Sequence, residues 1–199
     1  MPADSAPINL THHFLIAMPG LQDESFSRSV VYLCEHSQNG ALGLIINKPS
    51  DINLKRLFEK VDLPLRRADL SDAVVFQGGP VQTERGFVLH EPLASAQDGA
   101  VEAPYASTMV IPGGLEMTTS KDVLEALSTG AGPRRVLVSL GYSAWGEGQL
   151  ESEIGENAWL TVAADPSLIF ETPVEQRYER ALGLLGLQAW MLSPDVGHG

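Results

Sequence analysis

The chain has 199 residues, 44% of them hydrophobic and 19% charged, with a formal net charge of −12. These values describe a globular chain long enough to bury a core of its own, and not a disordered one. A single cysteine, Cys34, excludes an internal disulfide and any zinc site built on several thiolates, and the acidic balance opposes a phosphate backbone.

The apolar runs are too short to span a bilayer, and the first residues carry no basic cluster ahead of an apolar core. The expected compartment is therefore the cytoplasm, with no membrane partner. Residues 1–9 read as a flexible arm, 10–192 as one domain and 193–199 as a flexible tail.

His13 to Ala17 reads as a strand ended by Pro19-Gly20. Ser29 to His36 and Ala41 to Asn47 are β-rich runs on either side of Asn39-Gly40, the preferred type I′ pair, so a hairpin is expected with its tip there. Asn53 is placed to cap a helix with Leu54, Leu57, Phe58 and Val61 on one stripe, ended by Pro64. Ala73 to Gln77 and Gly86 to His90 read as strands, joined through Gly78-Gly79-Pro80. A loop follows, then a strand at Ser107 to Ile111.

Thr119 with Asp122 resembles a capping box for a helix through Leu127. Arg135 to Leu140 is nearly all apolar, which suits a strand covered on both faces. A short helix is expected at Gln149 to Ile154 and a strand at Trp159 to Ala163. Thr172-Pro173-Val174-Glu175 carries a capping Thr, Pro at the first helical position and Glu at N3, and so predicts a helix start. Eight or nine short strands with three or four helices, not regularly alternating, indicate an α+β fold.

No phosphate loop, dinucleotide fingerprint or metalloprotease helix is present. Gly141-Tyr142-Ser143-Ala144-Trp145 imitates a nucleophile elbow, but Trp at the fifth position blocks the tight turn. Cys34 and His36, two apart on a strand, are expected on one face, where a thiolate beside an imidazolium would be redox-sensitive; the competing reading is a buried apolar thiol. Gly78 and Gly79, with Arg85 downstream, free the backbone for an anion nest or simply end a strand. Tyr142, Trp145, Gln149 and Glu151 lie among three glycines, as in a binding loop or a tight corner. With His90, these residues form the candidate ligand site. No catalytic constellation, metal or cofactor is expected.

Five segments occur in order: Met18-Pro19-Gly20 followed by Phe26; Val31 to His36; Gly43 to Pro49; Gly78 to Val81 with Arg85 to His90; and Leu140 to Tyr142 with Trp145-Gly146 and Gly148 to Glu151. Together they resemble the YqgE/AlgH family of bacterial proteins from about Leu10 to Leu187. The resemblance implies a bent, antiparallel-rich sheet forming a small closed barrel with helices packed around it. It carries no accepted active site, ligand or cofactor, and some members are linked to transcriptional control of alginate synthesis.

Three functions follow. The first is a non-enzymatic binding or regulatory module acting through an unknown protein or small-molecule partner. The second is a transcriptional regulator, which the charge and the lack of a helix-turn-helix oppose. The third is an enzyme of unfamiliar type in which Cys34, His36, Arg85, His90 or Glu151 converge in a cleft.

Overall fold

A computed structural model describes residues 9–20, 26–92 and 105–188. The expected arm, apart from Asn9, and the expected tail at 193–199 lie outside the described residues. Ten strands and five α-helices are present among those described, so the α+β class holds.

The first three strands form an antiparallel meander: β1 (His13–Ala17), β2 (Val30–Ser37) and β3 (Gly40–Ile45). The hairpin is present, but its tip is one residue earlier than the Asn-Gly rule predicts. Ser37 pairs with Gly40, which makes Gln38-Asn39 the loop, and Asn39 is not in the left-handed region. Gly40 has φ +134°, and a Cβ there would strike the Trp145 carbonyl, so this glycine serves close backbone approach.

β4 (Pro49–Asn53) was not legible; it pairs with β5 (Val74–Gln77). Between them α1 (Leu54–Lys60) is capped as expected, Asn53 Oδ1 accepting from the Arg56 N–H at 2.9 Å. β6 (Val81–His90) begins five residues before the expected strand, and β8 (Leu115–Thr118) is a further unpredicted strand that hairpins with β7 (Thr108–Ile111).

The Thr119–Asp122 capping box does not form. α2 (Asp122–Ser128) has Lys121 at its N-cap, and the Asp122 carboxylate instead accepts from Ala106 N–H and Ser120 O–H. α3 (Gln149–Gly155) and β10 (Trp159–Ala163) match expectation. α4 (Pro166–Phe170), capped by Asp165, was not foreseen, and the expected start at Thr172-Pro173 leads into a 3-10 turn before α5 (Arg177–Gly183). Among the described residues no helix exceeds seven residues, so packing on the sheet and not intrinsic propensity holds them.

The sheet order is β10-β1-β2-β3-β9-β6-β8-β7, with β5 also on β9. β9 (Val136–Trp145) joins its two halves. Its first half lies between β5, in parallel, and β6, antiparallel; its last three residues pair with β3. The change of partner falls at Gly141, φ +78°, where a Cβ would crowd the carbonyls of Gly79 and Val81.

The sheet curls into a half-barrel that is open, which corrects the closed barrel implied by the resemblance. The end strands β7 and β10 do not pair with each other. Two helices pack into the inner core instead, against β1, β2 and β9. Leu168 and Ile169 of α4 and Tyr178, Ala181 and Leu182 of α5 join the inner apolar cluster with Phe14, Tyr32, Phe87 and Leu89. Two hydrogen bonds pin α5 there, from Arg177 Nη1 to Ile46 O at 2.6 Å and from Tyr178 O–H to Ala17 O. Burial lowers the Arg177 pKa to about 10, against a smaller opposing effect of Glu175.

Two outer layers complete the core. Leu15, Val31, Leu33, Trp145 and Trp159 pack against α3, and Val75, Val88 and Val138 pack under α1 and α2. Each large side chain so buried contributes about 1.5–3 kcal/mol. The expected two-faced burial of Arg135 to Leu140 is met, with Leu137 in the inner cluster and Val138 in the outer one.

Candidate functional site

The glycine-rich corners converge where β5 ends against the bend of β9. Gly78 donates to Leu140 O at 2.9 Å and accepts from Ile45 N–H and Ser143 O–H. Its N–H is therefore committed to the sheet and not free for an anion. Gly79, φ +155°, crosses β9 so closely that a Cβ would meet the Tyr142 carbonyl. Gly79 also borders a cleft of about 300 Å³ with Asp51, Lys60, Gln77 and Thr83.

Beyond this crossing β6 bulges. Val81 pairs with Tyr142 and Gly86 with Leu140, so the residues between them have no partners in the ladder. Gln82 sits at φ +48°, a strained value for a residue with a side chain. Bulges re-aim side chains, and this one places Arg85 at one end of the concave face.

Five neighbouring strands line a trough of about 420 Å³ there: Leu42 from β3, Tyr142 from β9, Arg85 and Phe87 from β6, Met117 from β8 and Met109 from β7. The Tyr142 and Phe87 rings meet edge to face at 5.4 Å. The Arg85 guanidinium lies 5.6 Å from the Phe87 ring centre, and its side-chain hydrogen bond goes to the neutral Gln82 Oε1 at 3.3 Å. Arg85 is exposed, and no carboxylate among the described residues pairs with it. The trough is thus apolar with one uncompensated cation.

The remaining candidates go elsewhere. Cys34 and His36 do not share a face. A bulge between Leu33 and Glu35 inserts Cys34 and reverses the pleat, sending Cys34 into the inner cluster and His36 toward α3. The Cys34 Sγ lies 3.9 Å from Met117 Sδ, and burial, with a smaller effect of Glu35, pushes its thiol far up. The thiol form is thereby favoured over the thiolate a redox role needs.

His36 Nδ1 accepts from Leu10 N–H at 2.9 Å, so Nε2 carries the proton and donates to Glu151 Oε2 at 3.3 Å. His90 is buried on the α2 side. Its Nδ1–H donates to Glu91 O and its Nε2 accepts from Thr118 O–H, which touches Thr108 Oγ1 at 2.8 Å. Glu116 Oε1, 4.0 Å from His90 Nδ1, is buried without a hydrogen-bond partner among the described residues.

Trp145 and Gln149 belong to a corner built on Glu153. Both Trp145 and Trp159 donate their indole N–H to Glu153 Oε1, at 3.0 and 2.9 Å, and Gln149 donates to Oε2. Of the candidate residues, the structure unites His36 with Glu151, Trp145 with Gln149 through Glu153, and Arg85 with Tyr142, and sends Cys34 to the inner cluster and His90 to the α2 side. Among the described residues no group of three or more His, Cys, Asp or Glu is placed to hold a metal, and no helix is long and apolar enough to cross a membrane.

Sequence reasoning missed Leu42, Phe87, Met109 and Met117. No local pattern marks them: Phe87 and Met109 fall in expected strands, Leu42 lies on β3, and only the sheet order brings these to Met117 on the unexpected β8.

Known proteins share this fold. The AlgH-like family model matches residues 14–190. The chain belongs to the AlgH-like family. A UPF0301 protein from Variovorax paradoxus is 77% identical over 198 residues, and one from a Polaromonas species 78% identical, each alignment covering all of both chains. The solution structure of the AlgH protein from Pseudomonas aeruginosa is similar with a TM-score of 0.74 at 45% identity, covering 98% of this chain and 99% of that one. A crystal structure from Corynebacterium diphtheriae, 19% identical and covering 92% and 93%, shares the fold with a TM-score of 0.69. Family membership carries no assigned reaction, so the trough has to be argued from its own chemistry.

Proposed function

We propose that this AlgH-like protein is a non-enzymatic binding module that seats an apolar group bearing a negative charge in the trough of the half-barrel. One observation carries the reading: the trough combines apolar walls from five strands with the exposed, carboxylate-free Arg85. Its volume falls within the range of ligand sites. In a chain of net charge −12, a lone cation on an apolar floor selects the anionic end of a ligand and does not attract a polyanion. That charge also favours action through a ligand or protein over direct contact with DNA, for which a basic face supplies the affinity.

Proton-detected NMR of methyl-labelled methionines tests this. Phenylbutyrate should shift the Met109 and Met117 methyl signals, phenylbutanol should do so about tenfold more weakly, and Arg85→Gln should abolish the difference. Unmoved Met109 and Met117 signals in the wild type with phenylbutyrate at millimolar concentration would sink the reading.

A further inference from the structure

We propose that the natural occupant of the trough is an extended peptide segment that adds to the free edge of β7, with an apolar and an acidic side chain on its trough face. This rests on the trough being a binding site, and it names the partner.

The first support is the edge itself. Among the described residues β7 pairs only with β8, at the end of the sheet order. The Ser107 carbonyl accepts from Thr119 N–H and the Ile111 carbonyl from Gly114 N–H. Backbone groups alternate along an antiparallel ladder, so those of Thr108 and Val110 point away from β8.

Among the described residues this edge lacks the usual guards. The segment Thr108-Met109-Val110-Ile111 has no charge, no proline and no bulge, and Val110 is 66% exposed. Natural edges of this kind are blunted unless they pair with another strand.

The second support is continuity. The trough runs across β3, β9, β6, β8 and β7 in sheet order, so it ends at that same edge. A strand laid on β7 continues the sheet, and its alternate side chains face the trough beside Met109. Backbone pairing supplies affinity and the trough supplies selection.

The third support is charge. Arg85 calls for an acidic residue on the incoming strand, whereas a second copy of this chain brings a net charge of −12.

The probes are two acetylated, amidated peptides, Val-Thr-Leu-Thr-Glu and its reverse, so that either strand direction is sampled. One of them should shift the Met109 and Met117 methyl signals and slow hydrogen exchange at the Thr108 and Val110 amides. Replacing its Glu by Lys, or using Arg85→Gln, should weaken binding about tenfold. N-methylating the peptide at the amides that face β7 should weaken it at least about tenfold, and this control needs no change to the protein.

Val110→Pro should act likewise, because an edge strand tolerates proline while losing the N–H. Methyl shifts without amide protection would overturn strand addition and leave the trough reading standing. Peptides that move nothing, while phenylbutyrate still binds, would also overturn it. Protection that rises with protein concentration in the absence of peptide would assign the edge to a second copy and overturn the proposal.

Discussion

Two aromatic regions flank the bend of β9, and they differ in what they leave unsatisfied. At the α3 corner Trp145, Trp159 and Phe26 pack with ring centres 5.6 to 6.0 Å apart, and Glu153 takes both indole N–H groups. In the trough Tyr142 and Phe87 form a floor whose one cation has a neutral partner. A glycine-rich segment with aromatics therefore produced both a closed corner and an open site within a few residues. Aromatic content did not separate them; the accounting of donors and acceptors did.

The comparison is broken first by truncating the corner. Trp145→Ala should lower unfolding free energy by about 3–5 kcal/mol, read by urea titration, and leave trough binding intact once the protein is folded. Glu153→Leu should cost about 2–4 kcal/mol, because two part-buried indole donors lose their acceptor at once.

Gly79→Ala sharpens the comparison from the trough side. Its backbone must move away from Tyr142, so about 1–3 kcal/mol should be lost together with trough binding. Arg85→Ala should change stability by less than about 0.5 kcal/mol while weakening phenylbutyrate binding.

Another small effect concerns the Glu91–Arg135 pair, 2.8 Å apart and next to His90. The Arg135 hydrogen bond holds the Glu91 carboxyl below its ordinary range. A depressed folded-state value contributes stability at neutral pH, and that contribution is lost as pH falls through it. Glu91→Gln should therefore be less stable than wild type at neutral pH, by less than about 1 kcal/mol for a pair still partly open to solvent, and the gap should shrink on acidification.

Much of the fold was legible where local rules act alone. The Asn53 cap, the doubly covered first half of β9 and the α3 helix needed only neighbouring residues. What escaped depended on partners far along the chain. β4 alternates exposed and half-buried residues, but its Pro-Ser-Asp start reads as a turn until β5 lies beside it. β8 is four buried residues including a glutamate, too short for periodicity to show. The shared face expected for Cys34 and His36 was wrong because a bulge has no sequence mark, whereas the reading of Cys34 as a buried apolar thiol holds. For the site, Arg85 and Tyr142 were visible as types in context, whereas the methionines of the trough needed the sheet order to bring them alongside.

Because β9 is shared by both ladders, it acts as a seam. Ala41 meets Trp145 and Val75 meets Val138, contacts that close long stretches of chain before any trough exists. Such closures are paid for in chain entropy ahead of their reward, so refolding should be slow for a protein of this size. The seam amides should be among the last to exchange with deuterium, and neither half of the sheet should survive as a fragment without it.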